Sequence, residues 1–503
     1  MATLTLLDLA SELKANIFEF CTTTALIRLS LTCKTLRKSV SEELDQRRKW
    51  DILDVSRDCG MGPDSRFQFE PHYDHNDCRC KRQHPLPMIH EVLKHPITSR
   101  CVTKLHVDEY GLSRVDEEIH NSGRVNRRKR PTSDFFDGDL EQQLYCLWQL
   151  DQQKFDDAWS DVMKFHNEET TVLLILIYFL PRLENLTLWS TRRWGSKLLV
   201  PLERMFTELL HRNQLSRVLF PNLVTVTVGN PNMHTDQATE TFSLMALFAA
   251  LPTVRTLRGH AVEEGTALLQ YGWLDLKLAK SASNVSTLEL YAPLISTDNL
   301  KACLGGLPLL QTLIYRSAPG DHQANLETVL KTILQERQGY LEDLTLSTLE
   351  GQQFIPNELR SGASFPMNFK LRSLTMNAAM FWKFGRAWTR EKFAIGYTHD
   401  DMSVLREAPR RLHQVIPKFV ETLVLEGDMS PAEMSSLVWD IKFFRENLPR
   451  LRAIWVTEID IEAQAGRQEL RICVDICSSV GIKLEWTQWH AEDHLDLRGL
   501  DFS

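Results

Sequence analysis

The amino-acid sequence predicts a mixed α+β chain built mainly as an α/β solenoid of strand–turn–helix units, preceded by a small module of three helices. Three observations predict this fold. A chain of 503 residues exceeds what one hydrophobic core normally supports. One short apolar pattern recurs at intervals near thirty residues, with a helical stretch in each interval. The first 45 residues carry apolar residues at helical spacing instead.

The N-terminal segment predicts three short amphipathic helices. Its apolar residues fall in three bursts at helical spacing, which are Leu13, Ile17 and Phe20, then Leu26 and Leu29, then Cys33, Leu36 and Val40. Such a small set of helices forms too small a core to be very stable alone. We therefore expect the module to dock on a partner or on the following domain.

The run LLDLASELKANIFEFCTTTALIRLSLTCKTLRKSV within residues 4–45 resembles the F-box of ubiquitin-ligase substrate receptors, especially the fungal type. The resemblance implies binding to a Skp-type adaptor, which links the module to a cullin and a RING subunit. Ala10 stands where the family usually has proline. The adaptor-facing and core positions that the resemblance implies are Leu9, Ala10, Leu13, Ile17, Leu26, Leu29, Leu31 and Leu36.

After residue 100, a triplet of apolar residues recurs, with the second residue three positions and the third five positions after the first. This spacing predicts a strand with alternating inward side chains. From Leu186 onward the middle residues are separated by 40, 31, 31, 25, 31, 30, 49 and 31 positions. The ten middle residues are Leu105, Leu186, Val226, Leu257, Leu288, Leu313, Leu344, Leu374, Leu423 and Ile454. Leu484 and Trp486 predict one further strand at the end.

This pattern resembles an irregular leucine-rich repeat, in which parallel strands line a concave face and helices a convex one. The asparagine that usually follows the strand is missing. We expect residues 46–100 to link the module to a repeat domain over residues 101–490. A polar insertion at 108–139 and an aromatic one at 378–418 interrupt the period.

The predicted concave face carries the residue types that dominate protein-binding hot spots. The residues expected to contact a protein target are Trp189, Arg258, His260, Tyr291, Arg316 and Trp455. The alternative interpretation is that the two tryptophans only pack against neighbouring strands.

Motifs for catalysis or metal binding are largely missing. A doubly wound enzyme needs a Gly-rich turn or catalytic residues at the strand ends, and the sequence shows neither, so we expect no enzymatic activity and no cofactor. One cluster has zinc-ligand types at a non-standard spacing, and it consists of His72, His75, Cys78, Cys80 and His84. We interpret it as a polar surface loop, with a structural zinc as the alternative.

Charge and composition restrict the partners. A net charge of −8 disfavours broad binding to nucleic acid or to anionic membranes. The longest apolar run, VLLILIYFLP, has about half the ~20 residues that a membrane-spanning helix needs. Ten scattered cysteines favour a reducing compartment, the cytoplasm or the nucleus. The basic run NRRKR is either a nuclear-import signal or a solvated loop.

Two functions fit these observations. The first, implied by the resemblance, is a substrate-recognition subunit of a Skp-cullin-F-box ligase that binds the adaptor through its N-terminal helices and a target through its repeats. The second is a scaffold outside any ligase, whose N-terminal helices only cap the repeat array. An α/β enzyme with an unrecognised site is a third and weaker alternative.

Overall fold

The computed structural model describes about half of the chain in detail. The described residues are 13–14, 17–18, 21, 23–32, 34–50, 52–55, 102–108, 180, 182–189, 220–230, 241–264, 283–318, 326–337, 340–349, 370–378, 416–429, 431–459 and 464–488. The chain divides into two compact units. The first comprises Met1–Pro231 with Thr239–Val254, and the second comprises Asn232–Ala238 with Arg255–Ser503.

The first unit contains helices at the N-terminus and a parallel sheet. Its described elements are α1 (Thr23–Thr32), α2 (Lys34–Trp50), β1 (Ile52–Val55), β2 (Lys104–Asp108), β3 (Asn185–Trp189), β4 (Thr225–Gly229) and α3 (Phe242–Ala249). Strands β1 to β4 pair in chain order, and all of these pairs are parallel. The register aligns Leu53, Leu105, Leu186 and Val226 across the four strands.

The second unit continues the same strand–helix alternation. Its described elements are β5 (Thr256–His260), β6 (Thr287–Tyr291), α4 (Thr297–Gly306), β7 (Thr312–Ser317), α5 (Leu326–Arg337), β8 (Asp343–Thr348), β9 (Ser373–Asn377), β10 (Thr422–Met429), α6 (Pro431–Phe443), β11 (Ala453–Ile459), α7 (Gln464–Ser479) and β12 (Lys483–Gln488). Strands β5 to β12 also pair in chain order and in parallel. Sequential parallel pairing is the topology that a stack of repeats produces.

The apolar triplets form the interior, as the sequence predicts. All ten middle residues are almost fully buried, and Leu484 in β12 is buried as well. Because side chains alternate along a strand, the intervening residues lie on the opposite face of the sheet, which we call the outward face. The prediction of a parallel, repeat-like sheet is confirmed.

The sheet begins earlier than the sequence suggested. Helix α2 extends to Trp50. Strand β1 lies inside the segment expected to be a linker, and it pairs with β2 at the start of the expected repeat domain. Trp50, Leu53 and Val55 carry the same triplet spacing as the later strands. The pattern was therefore present before residue 100.

Backbone hydrogen bonds join neighbouring repeats at the turns, where leucine-rich repeats usually have an asparagine side chain. In most of the described repeats, one carbonyl accepts two consecutive N–H groups from the next repeat, as the Arg255 carbonyl does from Ser286 and Thr287 at 2.9 and 3.0 Å. Beyond the strands, the Ala261 and Ala292 N–H groups donate to the Tyr291 and Arg316 carbonyls, both at 2.7 Å. These bonds satisfy the turns in which the usual asparagine is missing.

Several predicted features lie outside the described residues. They are the zinc-type cluster between His72 and His84, most of the polar insertion, residues 379–415 of the aromatic insertion, and most of the run VLLILIYFLP. Within the described part, no helix combines the length and the apolar composition of a membrane span.

Candidate interaction surfaces

The N-terminal helices enclose a small apolar core. Phe18, Leu26, Leu36, Val40 and Leu44 are buried together, with Cys21 and Leu29 packed against them. The sequence placed Leu26 and Leu36 among the adaptor-facing and core positions. In the structure both lie in the interior of the module, so their role here is packing and not surface contact.

Other apolar side chains of the same helices face solvent. The exposed fractions are 52% for Leu13, 38% for Ile17, 44% for Ile27 and 79% for Leu31. Ile27 and Leu31 of α1 are four residues apart, which places them on one face of that helix. Leu13 and Ile17 have the same spacing in the sequence. Leu13, Ile17 and Leu31 are among the predicted contact positions, and Ile27 is exposed beside them without having been predicted. Leu9 and Ala10 lie outside the described residues.

Exposed leucine and isoleucine residues at this density are unusual for so small a module. Single exposed apolar residues are common on proteins, but stripes of them on a marginal core mark a surface that gains stability when covered. The four residues Leu13, Ile17, Ile27 and Leu31 are called the apolar quartet below.

On the outward face of the second unit, the structure brings together four of the six predicted target-binding residues. Arg258 and His260 lie on β5, Tyr291 on β6 and Arg316 on β7. The register aligns His260 with Tyr291 and Tyr291 with Arg316. Their side chains therefore follow one another across three adjacent strands.

A buried carboxylate links the residues at the β5–β6 end. One Glu289 oxygen, Oε2, accepts from Arg258 Nε at 3.0 Å and from the Tyr291 hydroxyl at 3.0 Å. Burial first, and then the Glu289 carboxylate, raises the pKa of Tyr291 to about 12. The Glu289 charge is thereby compensated inside the face, as a buried carboxylate requires.

His260 stacks on the Tyr291 ring. The ring centroids are 4.7 Å apart and the planes differ by 19°. Burial, together with the Arg258 guanidinium, lowers the pKa of His260 to about 4. The imidazole is therefore neutral at physiological pH and contributes an aromatic surface without a charge.

A second ion pair crosses the middle of the face. Arg316 Nη2 on β7 donates to Glu426 Oε1 on β10 at 2.8 Å, so the pair passes over β8 and β9. Ser347 is aligned with Arg316 on β8, and Asn377 is aligned with Glu426 on β9. Ser347 has no solvent exposure. The ion pair therefore covers the small side chains beneath it.

A backbone irregularity positions Glu426. The β10–β11 register shifts between Leu425 and Asp428, and Gly427 in this bulge has a φ of 97°. The Gly427 N–H donates to the Thr457 hydroxyl of β11 at 3.1 Å. Bulges change the direction of adjacent side chains. This bulge lies at Glu426, whose carboxylate pairs with Arg316.

The two predicted tryptophans lie in different surroundings. Trp455 on β11 is half-exposed, with Lys483 Nζ 5.8 Å from its ring centroid. Lys483 also pairs with Glu485, which is aligned with Trp455. In the first unit, Trp189 meets His106 edge to face, with centroids 6.2 Å apart. Trp455 therefore contacts Lys483 and still exposes nearly half of its surface. Trp189 packs against His106 and is less exposed.

Metal-binding geometry is not found among the described residues, where no three His, Cys, Asp or Glu side chains are grouped to hold an ion. Cys473 and Cys477 are buried on α7. Burial raises the pKa of the Cys473 thiol to about 11 and that of Cys477 to about 12. These thiols are protonated and act as small apolar groups.

Comparison with known families identifies the N-terminal module. The F-box domain family matches residues 6–44, which contain the buried core and the apolar quartet. No curated protein is similar enough to match the chain. Residues 6–44 therefore match an F-box domain, and a parallel, repeat-like sheet follows them.

Proposed function

We propose that this chain is a substrate-recognition subunit of a Skp-cullin-F-box ubiquitin ligase, with a repeat domain of the leucine-rich type. The observation that carries the proposal is the F-box match over helices that expose four large apolar residues. A Skp-type adaptor is the partner that this domain implies, and covering the quartet would stabilise the complex through apolar burial.

The target side of the proposal rests on the outward face. Arg258, His260, Tyr291, Arg316 and Trp455 present aromatic and guanidinium groups on a rigid sheet, which suits a protein partner. The chain would then act by positioning, because holding a target near a charged conjugating enzyme raises the effective concentration of its lysines. No catalytic group of this chain is required.

The capped-scaffold alternative predicts a different burial. If the helices only closed the end of the repeat array, Leu31 would be covered by the first repeat. Leu31 is the most exposed member of the quartet, which favours docking of a separate partner.

The substitution Leu31→Glu tests the adaptor assignment. Because the side chain is exposed, the charge costs the fold little, but buried against a partner it is unfavourable by several kcal/mol. We expect co-purification with a Skp-type adaptor to be lost. Leu309→Glu is the matched control, since Leu309 is 52% exposed and lies outside the F-box domain.

One result of this experiment would contradict the adaptor assignment. If Leu31→Glu retained the adaptor as well as Leu309→Glu does, the apolar quartet would not be the docking surface. A Leu26 substitution is a poor test, because truncating this fully buried residue costs about 2–5 kcal/mol and disrupts the module itself.

A further inference from the structure

The ion pair across the outward face leaves hydrogen-bonding capacity unused. Arg316 Nη2 reaches one oxygen of Glu426, whereas Arg316 Nε is buried and has no hydrogen-bond partner in the described part of the chain. In a guanidinium group, the Nε–H and one Nη2–H point the same way and match the two oxygens of a carboxylate. Glu426 therefore uses only half of this edge.

A second unsatisfied group lies on the neighbouring strand. The Ser347 hydroxyl is completely buried, has no partner among the described residues, and belongs to the residue aligned with Arg316. Buried polar groups in native proteins are almost always hydrogen-bonded, so two orphans at adjacent positions are informative. Both groups can donate, and a carboxylate has two oxygens that can accept from them.

Glu426 reaches Arg316 from a distant strand. Its strand lies three strand spacings from β7, about 14 Å of sheet, so the carboxylate spans β8 and β9 to make a single contact. The Arg316 and Glu426 side chains remain partly open to solvent. A ligand can therefore approach the pair from the outward side.

We propose that Arg316 and Ser347 form a binding site for a carboxylate of the target protein, and that Glu426 occupies this site until the target displaces it. The proposal rests on the proposed receptor function and adds the chemistry of the target, an acidic side chain or a C-terminal carboxylate. The incoming group would bind Nε and Nη2 of Arg316 together and accept from the Ser347 hydroxyl.

Charge balance favours a carboxylate over a phosphate. A carboxylate replaces the single charge of Glu426 by another single charge. A phosphate would bring nearly two negative charges to the same place, next to the displaced Glu426 and on a face that also carries the Glu289 carboxylate. Repulsion from these carboxylates disfavours the dianion.

The test is selection of a random peptide library on the full-length chain, followed by affinity measurements on matched peptides carrying Asp, Asn or phosphoserine at the selected position. We expect enrichment of acidic residues or of an acidic C-terminus. Arg316→Gln should weaken the Asp peptide about tenfold or more, and Ser347→Ala about fivefold. Arg372→Gln is the matched control and should change affinity little, because Arg372 is an exposed arginine that pairs with Glu342 and precedes β9, outside the proposed target-binding residues.

A variant that should bind more tightly shows that the losses are not caused by misfolding. Glu426→Gln removes the competing charge and should tighten the Asp peptide about threefold to tenfold, which a damaged fold cannot do. A library without acidic preference or without binders would overturn the proposal. So would equal losses for Arg316→Gln and Arg372→Gln, or a preference for phosphoserine over Asp.

Adaptor binding is measured on the same preparations. Acidic selectivity without adaptor binding would refute the ligase role and support the carboxylate site. Adaptor binding without acidic selectivity would refute the carboxylate site and support the ligase role.

Discussion

Two alanines hold backbone conformations that side chains rarely adopt. Ala261 and Ala292 have φ angles of 46° and 50°, and both are fully buried in a row with Ala318. The left-handed conformation lets their N–H groups reach the next repeat, at a cost of about 1–3 kcal/mol each. The three methyl groups pack together, with Leu294 and Leu349 against them, so a larger side chain has to displace these neighbours.

The substitution Ala292→Val should destabilise the second unit by about 2–4 kcal/mol. A β-branched residue is strongly strained at positive φ, and its two extra methyl groups enter a closed row. Ala292→Gly should change stability by less than about 1 kcal/mol, because relief of strain offsets the lost methyl contact. Urea unfolding measures both variants, and equal stabilities for Val and Gly would contradict this packing.

The His260 imidazole makes stability depend on pH. Its pKa is about 4 in the folded chain, below the ordinary value of 6.5, because of burial and Arg258. Between these values the unfolded chain binds a proton that the folded chain does not, so stability falls as the pH drops from 6.5 to 4. The neighbouring charged or titratable groups are Arg258, Glu289, Tyr291 and Arg316.

The size of this effect is on the order of 1–3 kcal/mol. His260→Gln should remove that part of the pH dependence, which is measured by urea unfolding at pH 7 and at pH 4.5. If the wild-type and variant chains lost the same stability between these two pH values, the neutral buried imidazole would be the wrong assignment.

At the scale of elements, one arginine holds together the turns before β11 and after α7. Arg445 precedes β11 in a short 3-10 helix, Arg445–Asn447. Its Nε donates to the Val480 carbonyl after α7 at 3.1 Å, its Nη2 to the Leu451 carbonyl at 3.0 Å, and its Nη1 to the Leu448 carbonyl. The guanidinium group thus satisfies carbonyls that the turns leave open.

The variant Arg445→Ala should weaken the C-terminal repeats by about 2–3 kcal/mol, because partly buried carbonyls lose a charged donor. Amide hydrogen exchange should accelerate around β11, α7 and β12. Arg445→Lys keeps the charge but lacks the planar guanidinium group that reaches three carbonyls. It should therefore recover only a small part of the lost stability. Unchanged exchange in Arg445→Ala would show that the turns are held by other contacts.

The sequence predicts the strands well because each carries its own triplet. Leu288 and Leu313, for example, are both recognisable from residues within five positions and both are buried. The Arg316–Glu426 pair joins residues 110 positions apart, and no local pattern indicates it. The same applies to Leu26, whose inward direction depends on how three helices pack.

At the scale of the whole molecule, the structure separates two kinds of surface. The F-box helices of the first unit expose apolar side chains, whereas the outward face of the second unit presents ion pairs and aromatic rings. Apolar stripes suit a constant, tightly held partner, and a polar face suits selective recognition. The proposed receptor role needs both kinds of surface in one chain.

The central claim is that the apolar quartet docks a Skp-type adaptor. The most direct measurement is amide hydrogen exchange of the full-length chain with and without that adaptor. Docking of the adaptor on the quartet should slow exchange in peptides covering residues 13–32 and leave β5 to β12 unchanged. Unchanged exchange over residues 13–32, or protection confined to β5 to β12, would contradict it.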